Sequence, residues 1–262
     1  MKTKLIEFKN QRNDILRGVW VESENCNKNH IVIMLGGFER AASTERKFKL
    51  LADELAKQEI DSLRMDIADV GLSDGDFYQM TMQSISDDLL SAIETIRKLG
   101  YKKISFIGHS QAACNVSLLF NEINFEKIVL LAPALNQKDL QRLWFVQEKN
   151  PTEKIGWNNY LKYFDEEEFQ KTISQDVQTK SHILSPEFKR MNSTIDYAQN
   201  FHGYDLNKIL AVLGDSDKVC PMESQTIEFP NKIILQGGDH DMEKPNMITQ
   251  WINDAVSFLS LP

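Results

Sequence analysis

A serine flanked by small residues is the clearest candidate for chemistry in this sequence. Ser110 lies in the segment 107–113 (IGHSQAA), between a β-like apolar run and a helix-like one. A serine at a sharp turn from strand to helix has a strained backbone that exposes its hydroxyl above the sheet. Such a turn needs small residues two positions before and after the serine, and Gly108 and Ala112 meet that need. The segment predicts a nucleophile.

A nucleophilic serine needs a histidine as general base. Of the five histidines, His30 begins a predicted strand, His109 adjoins the serine and points away from it in a tight turn, and His182 and His202 fall in a long segment without core strands. His240 lies in a loop between the last predicted strand and the last predicted helix. That loop would place it over the carboxyl ends of the strands, so His240 is the predicted base.

The base in turn needs a carboxylate to orient it. Asp215 and Asp217 both follow the penultimate predicted strand. Val219 and Pro221 indicate a turn that fixes the backbone just past Asp217, which favours Asp217 as the orienting acid. Asp215 stays the alternative, and its other possible role is to support the loop.

An acyl-transfer site also needs donors for the oxyanion. The segment 35–38 (LGGF) ends the first buried strand, and its glycines would let backbone amides approach a bound carbonyl. We expect the two donors to be the backbone amides of Phe38 and Gln111, the second of which lies at the start of a helix.

The elements that must position these residues alternate between strand and helix, which predicts a mostly parallel sheet with helices on both faces. The first two strands are expected to form an antiparallel ribbon, and Ser43 is predicted to cap the first helix. The predicted strands are 5–8, 16–22, 30–35, 61–65, 103–107, 127–131, 208–213 and 232–235, and the predicted helices are 43–58, 82–99, 111–120 and 247–259.

One long segment interrupts the alternation. Residues 136–207 contain no convincing core strand but hold 11 of the 24 aromatic residues of the chain. A structureless loop of that length is improbable in a compact domain. We therefore expect an inserted helical cap on a core made of residues 1–135 and 208–262. Aromatic side chains suit an apolar pocket. We expect at least two of five candidates to line a pocket above the serine: Trp144, Phe145, Trp157, Tyr160 and Tyr163.

Taken together, these motifs resemble those of the serine hydrolases with the α/β-hydrolase fold, near the serine-aminopeptidase-like and cinnamoyl (feruloyl) esterase branches. The resemblance covers nearly the whole chain, and the order serine, aspartate, histidine is that of the fold. A weaker likeness is to hydrolases associated with exosortase systems. The motifs that carry the main resemblance are Gly36-Gly37-Phe38, the loop 66–75, Gly108-His-Ser-Gln-Ala112, Asp217-x-Val-x-Pro221 and Gly238-x-His240.

The sequence departs from the family pattern at three places. Gly36 stands where the family has a histidine, Ala68 and Asp69 stand where it has Arg-Gly, and Ala112 replaces the second glycine around the nucleophile. The last change is sterically mild. The first two leave the predicted triad intact and bear on the substrate class.

The resemblance implies a carboxylic ester hydrolase that works through an acyl-enzyme intermediate. A thioesterase or acyltransferase acting on a carrier- or CoA-bound acyl group is the alternative, and a catalytically silent binding protein is a third hypothesis. Haloalkane dehalogenases and epoxide hydrolases have an aspartate as nucleophile, where this chain has Ser110. No cofactor is expected, since the sequence has neither a dinucleotide fingerprint nor a metal-ligand cluster.

Composition excludes several other classes. The chain has 262 residues, 42% of them hydrophobic and 26% charged, as in an ordinary globular domain. A formal net charge of -8 argues against nucleic-acid binding. We see no apolar run long enough to span a membrane and no secretory signal, and the three cysteines do not form a disulfide framework. We therefore expect a cytoplasmic enzyme with a small-molecule ester or thioester substrate; the sequence leaves its oligomeric state open.

Overall fold

The computed structural model describes residues 1–26 and 28–261, and its centre is a mixed sheet of eight strands. The strands lie in the order β1-β2-β4-β3-β5-β6-β9-β10. Their bounds are β1 Lys2–Lys9, β2 Ile15–Glu22, β3 His30–Leu35, β4 Asp61–Met65, β5 Lys103–His109, β6 Ile128–Leu131, β9 Ile209–Gly214 and β10 Asn231–Leu235.

The sheet changes direction at one edge only. β1 and β2 form the expected antiparallel ribbon, with Lys2 opposite Glu22, and β2 pairs antiparallel with β4. Within this sheet, every pairing along the order β4-β3-β5-β6-β9-β10 is parallel. Parallel strands covered on both faces read as continuous apolar runs, and β3, β6 and β9 have that pattern. Their carboxyl ends therefore meet at a single edge of the sheet.

Helices cover both faces of this sheet, as predicted. α1 (Arg46–Lys57) and α7 (Pro245–Ser260) pack on one face, and α2 (Met82–Lys98) and α3 (Ala112–Ser117) pack on the other. Each helix buries the apolar residues that recur at helical spacing. In α7 these are Met247, Ile248, Trp251, Ile252, Ala255 and Leu259.

Two local predictions for the helices are wrong. α1 begins at Arg46, and Ser43 does not cap it: the N-cap is Glu45, with no side-chain capping bond. The Ser43 hydroxyl and amide instead donate to the buried carboxylate of Asp66, which lies beyond β4. α3 has six residues, ending at Ser117 rather than Phe120. A capping signal read along the chain cannot show that a distant carboxylate competes for the same hydroxyl.

The chain between β6 and β9 is mostly helical, as the composition of residues 136–207 suggests. It contains a small core of its own, in which Leu140, Leu143, Phe169 and Ile173 are buried. A two-stranded ribbon also occurs here, which the sequence did not indicate. The elements are α4 Gln137–Lys149, α5 Glu166–Ile173, the ribbon β7 Val177–Gln178 with β8 Ile183–Leu184, α6 Pro186–Asn192 and 3-10 helices at Tyr160–Lys162, Tyr197–Phe201 and Leu206–Lys208.

Candidate active site

Ser110 lies at the turn between β5 and α3, at the carboxyl edge of the sheet. Its φ is +56°, a left-handed conformation that a residue with a side chain rarely adopts. Its amide donates to the carbonyl of Leu131, 2.8 Å away, which ties the turn to the neighbouring strand. A Cβ on Gly108 would lie 2.8 Å from the Cβ of Ala112. The turn therefore needs the glycine, as the sequence pattern indicates.

His240 and Asp217 come from the loops after β10 and β9, and both lie beside the serine. His240 Nε2 is 3.0 Å from Ser110 Oγ, and His240 Nδ1 is 2.9 Å from Asp217 Oδ2. The aspartate accepts at Nδ1, so the ring can carry its proton there and accept from the serine hydroxyl at Nε2. The structure thus brings together the three side chains that the sequence singled out.

The two candidate acids have different surroundings. Asp217 is buried, and its other oxygen accepts the amides of Val219 and Cys220, each at 2.8 Å. These bonds fix the carboxylate with one oxygen directed at the histidine. Asp215 is exposed and accepts the amide of Gly237 at 2.7 Å. This bond joins the loop after β9, which carries both acids, to the loop after β10, which carries His240.

His109 is hydrogen-bonded to the loop that carries His240. Its Nε2 donates to the carbonyl oxygen of His240 at 2.7 Å, and the two rings lie 4.8 Å apart. Complete burial lowers the pKa of His109 well below the usual histidine range, so its ring is neutral. His109 therefore positions the backbone of His240 and does not compete with it for a proton.

The predicted oxyanion donors line the same cavity as the serine. Within the described part of the chain, the amides of Phe38 and Gln111 donate to no protein acceptor. A Cβ on Gly37 would lie 3.3 Å from Ser110 Cβ, so a glycine allows this loop to approach the serine. A Cβ on Gly36 would lie 2.1 Å from the carbonyl oxygen of Arg40. This loop conformation excludes the histidine that the family pattern has at position 36.

The cavity above Ser110 has a volume of about 420 Å³, and most of its wall comes from residues 136–207. Two of the five aromatic residues predicted to line it, Trp144 and Phe145, do so. The other three candidates are not among the described lining residues. Tyr160 is buried in the small core of the insertion, Trp157 packs against that core, and Tyr163 is 44% exposed.

Several lining residues were missed at the sequence level. Phe188 and Leu184 add apolar wall, and Gln141, Glu148 and Lys189 add polar groups. None belongs to a motif, and a helical pattern does not distinguish a side chain that faces a cavity from one that faces a neighbouring helix. Only the packing of α4, β8 and α6 reveals them.

The loop that carries the predicted donor Phe38 also contacts the insertion. His182, in the turn between β7 and β8, places Nδ1 2.9 Å from Glu39 Oε1 and Nε2 3.1 Å from the carbonyl oxygen of Asp69. Its ring stacks on Phe77 with centroids 4.0 Å apart, and the Thr179 hydroxyl donates to the same Glu39 carboxylate. Glu39 directly follows Phe38, so the insertion contacts the loop that carries one predicted donor.

Three side chains at the site could also serve as metal ligands. The ligand atoms of Asp217, Cys220 and His240 lie within 4.8 Å of one another. Both histidine nitrogens have hydrogen-bond partners in the chain, however, and burial raises the pKa of the Cys220 thiol well above its usual value. These three side chains are therefore less suited to binding a metal than to the hydrogen bonds that link Asp217, His240 and Ser110.

The strained serine turn, the parallel sheet and the order Ser110, Asp217, His240 define an α/β hydrolase. Residues 27–236 match the family described as "Serine aminopeptidase, S33". The chain belongs to that family of hydrolases, which confirms the resemblance inferred from its motifs. No match was found among curated proteins.

Solved structures with this fold match nearly the whole chain. Est1E from Butyrivibrio proteoclasticus, with ferulic acid bound, has a TM-score of 0.75 at 20% identity and covers 97% of each chain. The Pyrococcus furiosus esterase Pf2001 has a TM-score of 0.68 at 19% identity, with 98% of this chain and 90% of that one covered. The α/β hydrolase GrgF from Penicillium sp. sh18 has a TM-score of 0.71 at 15% identity, over 99% and 98%. These similarities establish the fold. No described helix is long and apolar enough to cross a membrane.

Proposed function

We propose that this protein is a serine esterase that cleaves a carboxylic ester through an acyl-enzyme intermediate. The observation that carries the proposal is the unbroken hydrogen-bonded chain from Asp217 through His240 to Ser110. An activated serine of this kind needs a base within about 2.6–3.2 Å and a third group that orients the base. Both distances fall in that range.

The geometry supports a specific sequence of steps. Ser110 Oγ attacks the ester carbonyl carbon while His240 Nε2 takes the hydroxyl proton, and Asp217 stabilises the resulting imidazolium. The carbonyl electron pair moves onto the oxygen, which accepts from the amides of Phe38 and Gln111. When the bond from carbon to the alcohol oxygen breaks, His240 returns the proton to the leaving alcohol. Water then attacks the acyl-enzyme by the same route and releases the acid.

The cavity and the structural neighbours favour an ester with an apolar part. The wall is mostly apolar, and a volume of about 420 Å³ is enough for a small organic substrate. Est1E was solved with ferulic acid, and Pf2001 is described as an esterase. We propose that residues 136–207 act as a cap on the core formed by residues 1–135 and 208–262, and that the cap selects the ester.

Covalent labelling tests the nucleophile without knowledge of the substrate. A fluorophosphonate probe should label the wild-type chain once, at Ser110, and should not label Ser110→Ala. Ser91→Ala is a matched control, because Ser91 is as buried as Ser110 but lies in α2 outside the cavity wall. Labelling that survives in Ser110→Ala, or a wild-type chain that is inert to the probe and to p-nitrophenyl esters, would contradict the proposal.

A further inference from the structure

A buried lysine lies in the wall of the cavity. Lys189, in α6, is 8% exposed and lines the cavity together with Phe188. Its Nζ donates to two backbone carbonyls at the end of α5 and just beyond it, Thr172 at 2.9 Å and Gln175. An ammonium group has three donors. The third N–H has no acceptor among the described residues.

The charge of this lysine is also unpaired. No carboxylate of the described residues lies within ion-pair distance of Lys189 Nζ, and the influence of Asp176 and Glu148 comes from further away. Of these two acids only Glu148 lines the cavity, where it is solvent-exposed. Burial lowers the pKa of Lys189 below its usual value, as expected for a cation without a counterion. Buried charges in proteins are normally paired, because an isolated one is costly to desolvate.

The surroundings of the lysine restrict what could pair with it. Much of the cavity wall that Lys189 shares is apolar, formed by Phe145, Phe169, Ile173, Leu184 and Phe188. An occupant must therefore present hydrophobic surface along this wall and an acceptor at the lysine. A carboxylate satisfies both the missing charge and the missing hydrogen bond, and the bond would be charge-assisted in an apolar setting.

We propose that Lys189 determines specificity by binding a carboxylate on the substrate, at the end of an apolar segment remote from the ester that reacts at Ser110. The substrate class is then a hemiester of a dicarboxylic acid or a similar ester acid. This inference rests on the proposed esterase function and extends it.

Matched substrates test the inference. The 4-nitrophenyl hemiesters of suberic and sebacic acid carry the carboxylate, and the 4-nitrophenyl esters of octanoic and decanoic acid have the same chain lengths without it. The wild-type enzyme should prefer the hemiesters in kcat/KM. Lys189→Met should reduce the ratio of hemiester to neutral ester by about 10- to 100-fold, mostly through KM, as expected for loss of a hydrogen bond between charged groups. Lys189→Arg, which retains the charge, should keep part of the preference.

The design separates this role from a structural one. Lys189 also binds carbonyls of its own chain, so Lys189→Met can weaken the packing of α5 against α6; that effect would lower kcat/KM for both substrates alike and leave the ratio unchanged. Lys171→Met is the control, because Lys171 is an exposed lysine of α5 outside the cavity wall. A wild-type enzyme without hemiester preference, or a ratio that Lys189→Met does not change, would overturn the inference. A wild-type enzyme that hydrolyses neither substrate and resists the fluorophosphonate would overturn the esterase function itself.

Discussion

Two regions enclose the cavity, and they are built in different ways: a floor at the carboxyl edge of the sheet and a roof formed by residues 136–207. The floor, at the carboxyl edge of the sheet, places Ser110, Asp217 and His240 through strand register and backbone hydrogen bonds, and each of the three side chains bonds within the chain. The roof, residues 136–207, relies on packed aromatic and aliphatic side chains, and in it Lys189 has no ion-pair partner among the described residues. A floor built this way suits a reaction that needs fixed distances, whereas the packing of side chains sets the shape of the roof.

The two regions are joined at a few contacts. Trp144 Nε1 donates to the carbonyl oxygen of Val219 at 2.7 Å. This bond connects α4 to the loop after β9, which carries Asp217. Phe38 packs between Phe77 and Phe188, with ring centroids 5.7 and 5.9 Å away. These contacts, with the bond from His182 to Glu39, are where a change in the roof can reach the floor.

The largest effect is expected from removing the nucleophile in the floor. Ser110→Ala should lower kcat for a p-nitrophenyl ester by about 10⁶-fold, as loss of the serine does in other triads. The fold should survive, because the left-handed turn keeps its small residues and its backbone bond to Leu131. Steady-state kinetics with a thermal melt checks both statements. Retention of a tenth of the activity would show that another group performs the chemistry.

The next effect distinguishes the two acids of the floor. Asp217→Asn should lower kcat by about 10⁴-fold, because an amide can no longer hold the imidazole in the tautomer that accepts at Nε2. Asp215→Asn should cost far less, since Asp215 accepts from the Gly237 amide and does not contact His240 in the hydrogen-bond network. Steady-state kinetics of the two variants, measured in parallel, tests this order. A larger loss of kcat in Asp215→Asn than in Asp217→Asn would show that Asp215 is the orienting acid.

The position of the floor residues could be read from the sequence because each lies in the turn or loop that follows a strand. Continuous apolar runs followed by glycine or aspartate mark the carboxyl edge of a parallel sheet, so strand prediction alone brings Ser110, Asp217 and His240 to one edge. The roof has no such rule. Some of its aromatic residues serve the small core alone, as Tyr160 does, and others serve both that core and the cavity wall, as Phe145 does. The spacing along a helix does not distinguish the two cases.

A smaller effect is expected at a contact between the regions. His182→Phe keeps the stacking on Phe77 but removes the bonds to Glu39 and to the Asp69 carbonyl. Because Glu39 follows the predicted donor Phe38, we expect kcat to fall by about 5- to 10-fold, the equivalent of one ordinary hydrogen bond. His202→Phe is the control, since His202 is exposed and outside the cavity wall. Equal kinetics for both variants would show that the floor is independent of the roof.

The smallest effects are expected within the roof, and they test which aromatic residues belong to the cavity. Tyr163 is 44% exposed and outside the cavity wall, so Tyr163→Ala should change kcat/KM by less than about two-fold and stability by about 0.5 kcal/mol or less. Trp144→Phe should raise KM for an apolar ester several-fold, because it removes ring surface from the wall and the bond to Val219. Kinetics and melting temperatures of the two variants measure the contrast. If Tyr163→Ala raised KM as much as Trp144→Phe does, the substrate would extend beyond the described cavity, and the exposed face of the insertion would be part of the binding site.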